Sequence, residues 1–211
     1  MNNFNLVSPF YEFLKKIVFG SKLKIAEKYY AGLLKSGDRV LIIGGGNGDI
    51  LNHINSGCFV DYVELSKVMI SNATKQQYDG EIHMINDNFL TVSLKKKYDW
   101  IIANFFLDVF NEENLIKAGE KLYLLLKEDG QLIVTDFYPV SEKGVRILLK
   151  VMHLFFKLVS DLESNSLKNI PYFLLKCGFE VSQHKFWAHR KIFSFIFFKK
   201  EKPLEKSDVI R

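Results

Sequence analysis

Cysteine is nearly missing from this chain: Cys58 and Cys177 are the only two in 211 residues. Neither sits in a CxxC pair or at ligand spacing from a histidine. That argues against a disulfide framework and a cysteine-held metal, and points to a reducing cytoplasm. No uncharged run approaches the roughly 18 residues that a membrane span requires. The N-terminal stretch lacks the charged, apolar and small-residue order of a secretory leader. Dense basic runs are confined to Lys95-Lys96-Lys97 and Lys199-Lys200, so the net charge of +5 gives no clear nucleic-acid signal. Repeats, linkers and low-complexity segments are absent too.

What remains is an ordinary globular composition, 48% hydrophobic and 25% charged, in a length that suits one domain. Aromatics are plentiful, led by 19 phenylalanines, so a core or pocket rich in flat apolar surface is expected. Ser8-Pro9 starts a helix along Phe10, Phe13, Leu14 and Ile17, closed by Gly20. A second helical pattern runs from Leu23 to Leu34 and ends at Gly37. Strands are expected over Arg39–Ile43, Phe59–Glu64, Glu81–Ile85, Tyr98–Asn104 and Gln131–Thr135. Helices are expected between them over Ile50–Asn55, from the cap Ser66 through Met69 to Ala73, and over Leu115–Leu126. This alternation predicts a parallel α/β sheet with helices on both faces. The final third reads differently. An apolar helix spans Val145–Val159, another starts at Asn169-Ile170-Pro171, and two strands turn at Ala188-His189-Arg190 as an antiparallel hairpin. The tail after Lys199 is charged.

The stretch Arg39-Val40-Leu41-Ile42-Ile43-Gly44-Gly45-Gly46-Asn47-Gly48-Asp49 organises the rest. A buried strand runs into a glycine turn and a helix start, which suits a nucleotide-like ligand because bare backbone and free N–H groups face it. Glu64 lies about twenty residues after Gly44, at the second strand's end, where a carboxylate accepts hydrogen bonds from ribose hydroxyls. The dinucleotide pattern G-x-G-x-x-G is broken by Asp49 at its third glycine, a charge that repels a pyrophosphate, so NAD is disfavoured.

These motifs resemble the class I S-adenosylmethionine-dependent methyltransferases. Val40 through Gly48 resembles that family's first motif and Asp61-Tyr62-Val63-Glu64-Leu65-Ser66 its second. Asn86-Asp87-Asn88-Phe89 resembles the element that meets adenine, and Asp99 through Leu107 the strand end where methyl faces acceptor. The resemblance covers roughly residues 35–200. It implies a three-layer Rossmann-like fold: a mostly parallel seven-stranded sheet with a C-terminal antiparallel hairpin, helices on both faces and an N-terminal helical cover. One domain over 1–211 is expected, with helices over 1–36, the core over 37–200 and the tail over 201–211.

It further implies that Gly44, Gly45, Gly46, Asn47, Gly48 and Asp49 meet S-adenosylmethionine from the loop. Glu64, Leu65, Ser66 and Met69 would meet it from the second strand's end. Asp87, Asn88, Phe89 and Asn104 complete the set, with Asp87 toward the adenine amine and Phe89 or Leu65 near its faces. One departure is plain: Ile42 stands where many members carry an acid for the methionine portion, a task that would shift to Asp49 or be lost.

The cofactor carries an activated methyl group, so alignment of the acceptor does most of the work. That fits a chain in which no triad or carboxylate pair stands out. Neither Tyr11, Tyr138 nor any of the histidines is assigned as a base, no catalytic residue is named, and no metal is expected. The helix over Val145–Val159 would be about 22 Å long at ~1.5 Å per residue. It is too short to cross a bilayer but suits a greasy pocket, a membrane surface or a second subunit. The expected acceptor is therefore small and apolar or aromatic, lipid-like or quinone-like, in a monomer or homodimer. Other readings are a non-catalytic binder or scaffold of the same fold, an aminopropyltransferase and a nucleic-acid methyltransferase. The last lacks the prolines of Asn-Pro-Pro-Tyr at Asn104-Phe105-Phe106-Leu107.

Overall fold

The computed structural model describes residues 21–139 and 168–200. The helices expected over 8–20 and 145–159, with Tyr11 and His153, lie outside the described residues, as does the tail over 201–211.

Runs rich in β-branched and aliphatic residues become parallel strands, largely buried in β1 (Arg39–Ile43), β2 (Phe59–Val63) and β4 (Tyr98–Asn104) and partly exposed at the sheet's edge in β3 (Glu81–Ile85). A longer β5 (Leu126–Phe137) follows, then β6 (Phe179–Trp187) and β7 (Ile192–Lys199). The seven strands form one sheet in the order β3-β2-β1-β4-β5-β7-β6. β7 runs antiparallel to both β5 and β6. The reversal between β1 and β4 opens a crevice at the strands' carboxyl ends, the usual ligand position in such sheets.

Each strand alternates its side chains between two packed layers. On one face Leu41, Ile43, Ile101, Ala103 and Leu132 meet Leu115, Ala118 and Leu122 of α3 (Glu112–Leu125) and Leu174 of α4 (Ile170–Lys176). On the other, Val40, Ile42, Tyr62, Ile102 and Ile133 meet Tyr30, Leu34, Ile50 and Leu51. α1 (Lys22–Lys28) also lies on that second face. Its Ala26 carbonyl accepts from Ser194 Oγ at 3.1 Å, and Ser194 in turn accepts from Thr135 Oγ1 and Trp187 Nε1. α2 (Lys67–Ala73) begins at Ser66, whose hydroxyl caps Met69 N–H.

Three elements differ from expectation. The Leu23–Leu34 pattern breaks at Tyr29-Tyr30 and resumes only as a 3₁₀ turn over Ala31–Leu33. Tyr30 is buried there, while Tyr29 packs edge-on against Trp187 at 5.0 Å. The helix expected over Ile50–Asn55 is a 3₁₀ turn, Asp49–His53, squeezed between Gly48 and Gly57, which both hold positive φ. The strand expected over Gln131–Thr135 begins instead at Leu126 and runs through Glu128-Asp129-Gly130, where the register with β4 shifts between Tyr98 and Trp100.

Candidate functional site

The glycine turn is held by its own backbone and by β2. Gly44 N–H donates to Val63 O at 2.9 Å and Gly48 N–H to Gly45 O at 3.2 Å. Gly44, Gly46 and Gly48 adopt φ of +60°, +61° and +83°, a region that residues with a side chain enter at a cost. The space left by the missing side chains has several uses. A methyl group on Gly44 would overlap the Phe106 ring, one on Gly45 would overlap the Tyr62 ring, and one on Gly48 would press on Ala73. Only at Gly46 is the direction open, with Met69 Sδ 3.9 Å away. Most of the cluster therefore serves close packing by the chain's own side chains, and Gly46 is where another molecule can come near.

Glu64 meets the loop at that point. Its Oε2 accepts from Gly46 N–H at 3.1 Å and its Oε1 from Ser66 N–H at 2.8 Å. The residue is 8% exposed, and burial raises its pKa against the pull of those two N–H groups. Each carboxylate oxygen keeps a second lone pair for a further donor. Beneath it Tyr62 Oη donates to Gly46 O at 3.0 Å. Burial first, then Glu64 and Glu27, raise the tyrosine pKa far above its ordinary value and keep that donor protonated.

The other expected residues divide between this centre and its surroundings. Leu65 is exposed at the end of β2, and Ser66 and Met69 follow it into α2. Asn86 clamps the same turn by donating to Glu64 O and Leu65 O. Asp87 is exposed with its Oδ1 on Asn88 N–H, while Asn88 Oδ1 accepts from Leu90 N–H. Phe89, expected near an adenine face, is buried beside Phe106. It is 3% exposed, packs edge-on to Phe106 at 5.9 Å and lies under Lys121. Its apolar ring belongs to the core, and Leu65 is the exposed apolar group near that edge. Asn47 turns toward α2, bonding Asn72 and Gln76. Asp49 faces Lys24 at 3.6 Å. Asn104 donates to Glu27 O at 3.1 Å, and its buried Oδ1 has no hydrogen-bond partner.

Four further groups shape this edge without an advance signal. Tyr62 and Phe106 read as ordinary core residues, and only the glycines opposite them reveal their task. Asp136 accepts from Leu107, Asp108 and Phe137 N–H groups, bracing the turn after β4. Asp108 is also buried, with an Oδ1 that has no hydrogen-bond partner. An isolated aspartate at the end of an apolar strand, or in the turn after one, carries no pattern, so spacing alone would not find Asp136 or Asp108.

Residues 40–130 match the protein family described as "Methyltransferase domain". No curated protein matches the sequence. Among solved structures, the chain is similar to the mitomycin 7-O-methyltransferase MmcR, with a TM-score of 0.64 at 16% identity. That alignment covers 85% of this chain and 54% of MmcR. It is similar to CalO1, a methyltransferase in calicheamicin biosynthesis determined in its SAH-bound form, with a TM-score of 0.61 at 14% identity. There 90% of this chain and 56% of CalO1 are covered, so the chain spans about half the length of both proteins. An S-adenosylmethionine-dependent methyltransferase from Clostridium acetobutylicum is covered over 99% of its length by 92% of this chain, with a TM-score of 0.58 at 13% identity. At such identities the likeness shows the shared fold. Residues 40–130 thus match a methyltransferase domain, and the chain as a whole has the fold of these S-adenosylmethionine-dependent methyltransferases.

Proposed function

We propose that the chain transfers the methyl group of S-adenosylmethionine to a small, apolar or aromatic acceptor by in-line displacement. The observation that carries this reading is Glu64, buried beside the one open glycine with its two oxygens fixed by Gly46 and Ser66 N–H groups. A carboxylate held rigid in that way can accept from two ribose hydroxyls without reorganising. Leu65 offers an apolar surface to the adenine ring, and Asp87 an acceptor for its amine. Met69 lies along the open side of Gly46.

The cofactor supplies a methyl group on a sulfonium, already a good leaving group. What the chain adds is position and exclusion of water. Phe106 against Gly44, with Phe110 at 5.1 Å and Phe89 behind, gives an apolar wall at the end of β4 for a flat or greasy acceptor. The small-molecule work named for MmcR and CalO1 supports the same acceptor class. No helix among the described residues is long and apolar enough to cross a membrane.

Isothermal calorimetry with S-adenosylmethionine and S-adenosylhomocysteine tests the cofactor, and incorporation of labelled methyl into a metabolite extract tests transfer. Binding with transfer is expected. Binding with no labelled product across lipid, quinone and aromatic fractions would leave a binding protein of this fold. Absence of binding would remove the reading altogether.

A further inference from the structure

We propose that the tip of the β6–β7 hairpin, with Tyr29 beside it, docks the protein on an anionic lipid surface and turns the crevice toward an acceptor held there. The link to the acceptor rests on the function proposed above; the docking itself does not. The tip lies at the carboxyl edge of the parallel strands. Trp187 pairs with Ile192, and Ile192 pairs with Phe137 at the end of β5. Phe105, in the turn after β4, packs on Phe137 with ring centroids 5.0 Å apart. The tip and the apolar wall at Phe106 therefore share one edge of the molecule.

Charge at the tip has one sign. No Asp or Glu occurs between Val181 and Lys191, whereas Lys185, His189 and Arg190 are exposed. The cations sit over rings. Lys185 Nζ is 6.0 Å from the Tyr29 centroid and 5.8 Å from that of Trp187, and Arg190 Cζ is 4.2 Å from that of Phe186. Tyr29 is 46% exposed, a large ring left at the surface, and it meets Trp187 edge-on at 5.0 Å. Trp187 Nε1 donates inward to Ser194 Oγ at 3.2 Å, so its polar group needs no partner from outside.

Cations beside amphipathic rings complement an anionic headgroup layer. Phosphates meet the lysine and arginine, and Tyr and Trp rings settle at the level of the headgroups. Single-stranded nucleic acid also carries phosphates, but it needs open ring faces on which bases can stack. Here Tyr29 and Trp187 meet edge-on, and both rings and Phe186 carry cations over their faces. A small apolar acceptor concentrates in a bilayer for the same reason that it leaves water. Docking through this tip would hold the edge with Phe105 and Phe106 against that store.

The test is co-sedimentation of the full chain with vesicles of phosphatidylcholine alone, or of equal parts phosphatidylcholine and phosphatidylglycerol. The wild type should pellet with the anionic vesicles only and be released as salt rises. Lys185→Gln and Arg190→Gln should each lower the partition coefficient about fivefold. Tyr29→Ser should lower it by a factor that moderate salt leaves unchanged. All three side chains are exposed, so the variants should keep the wild-type melting temperature. Lys185→Arg, which keeps the charge, should bind as the wild type does. The inference is overturned if the wild type ignores anionic vesicles, if the neutral variants bind as well as it does, or if Lys185→Arg loses as much as Lys185→Gln. Retention by single-stranded RNA in place of vesicles would also overturn it and make the tip a nucleic-acid contact. Calorimetry with S-adenosylmethionine on the same preparation separates the two readings. Cofactor binding without vesicle binding removes the docking alone, and vesicle binding without cofactor binding keeps the docking and removes its link to an acceptor.

Discussion

At the scale of single residues, the site turns on a division of labour among glycines that look alike in the sequence. Gly45 has an ordinary φ, yet a methyl group there collides with Tyr62, while Gly46 has open space but a left-handed backbone. The two should fail differently. Gly45→Ala forces a buried ring to move, an overpacking cost of about 1–3 kcal/mol, visible as a lower urea midpoint. Gly46→Ala adds only backbone strain, about 1 kcal/mol, and brings a methyl group to the ligand's side, so its larger effect should be on cofactor affinity. Equal effects of both on stability and binding would show that the loop does not sort its glycines this way. Glu64→Ala removes the partner of Gly46 and Ser66 N–H groups as well as the ribose acceptor. Hydrogen bonds to a charged group contribute about 1.5–3 kcal/mol each, so at least a tenfold weaker dissociation constant is expected by calorimetry. An unchanged constant would take Glu64 out of the site.

At the scale of elements, strands were the readable part, because burial writes β1 and the middle of β4 as short apolar runs, and the edge strand β3 still alternates Ile82 and Met84 with exposed Glu81 and His83. Arg39–Ile43, Glu81–Ile85 and Tyr98–Asn104 form over the residues their composition marks. Helix caps were readable for the same local reason: Ser66 and Asn169 each accept from the N–H three residues on. What escaped was set by long-range packing. Nothing in Ile50–Asn55 announces that Gly57 and β2 leave room for a single 3₁₀ turn, nor that Tyr30 is drawn into the core and breaks its helix. The phenylalanines illustrate the same limit. Phe193, Phe195 and Phe197 form a ladder on one face of β7, with centroids 5.0 and 5.9 Å apart. Much of the aromatic surplus is thus core, with Phe106 left for the site. The hairpin that carries this ladder turns through Ala188, His189 and Arg190 at φ of +48°, +55° and +66°. Three such residues in a row are costly without glycine. His189→Gly should therefore stabilise the protein by about 0.5–1 kcal/mol after the greater entropy of glycine in the unfolded chain is subtracted. A lower melting temperature for that variant would mean the histidine side chain contributes more than its backbone costs.

At the scale of the whole molecule, two buried acids at the carboxyl edge set how folding responds to pH. Asp136 lies at the end of β5 with its oxygens on three backbone N–H groups, and Asp108 sits in the turn it braces. Burial raises both pKa values: Asp108 to about 6 against the pull of Lys168, and Asp136 well up as well, with Asp108 adding to the effect. In the unfolded chain both titrate near about 4. Between those values the folded state binds more protons than the unfolded one, so stability is greatest on the acid side and falls as pH rises through about 6. Asp108 and Asp136 together therefore cost the fold stability as pH rises from about 4 to about 7. The depressed carboxylates, Asp61 beside Tyr98 and Lys96 and Asp99 beside Lys127, act in the opposite sense but only below their ordinary range. Above about pH 5 Glu64, raised by burial, acts with the buried pair, while the exposed His53, lowered by burial and Lys28, opposes it weakly. Urea midpoints measured from pH 5 to pH 8 should therefore decline in the wild type, and Asp108→Asn should flatten the decline and raise the midpoint at pH 8. A flat wild-type profile, or a variant that keeps the full slope, would mean that water or a cation reaches the pair. The acids lie in the turn that positions Phe105 and Phe106, so stability near neutral pH is given up at the edge proposed to meet the acceptor, the usual place for local strain to be tolerated.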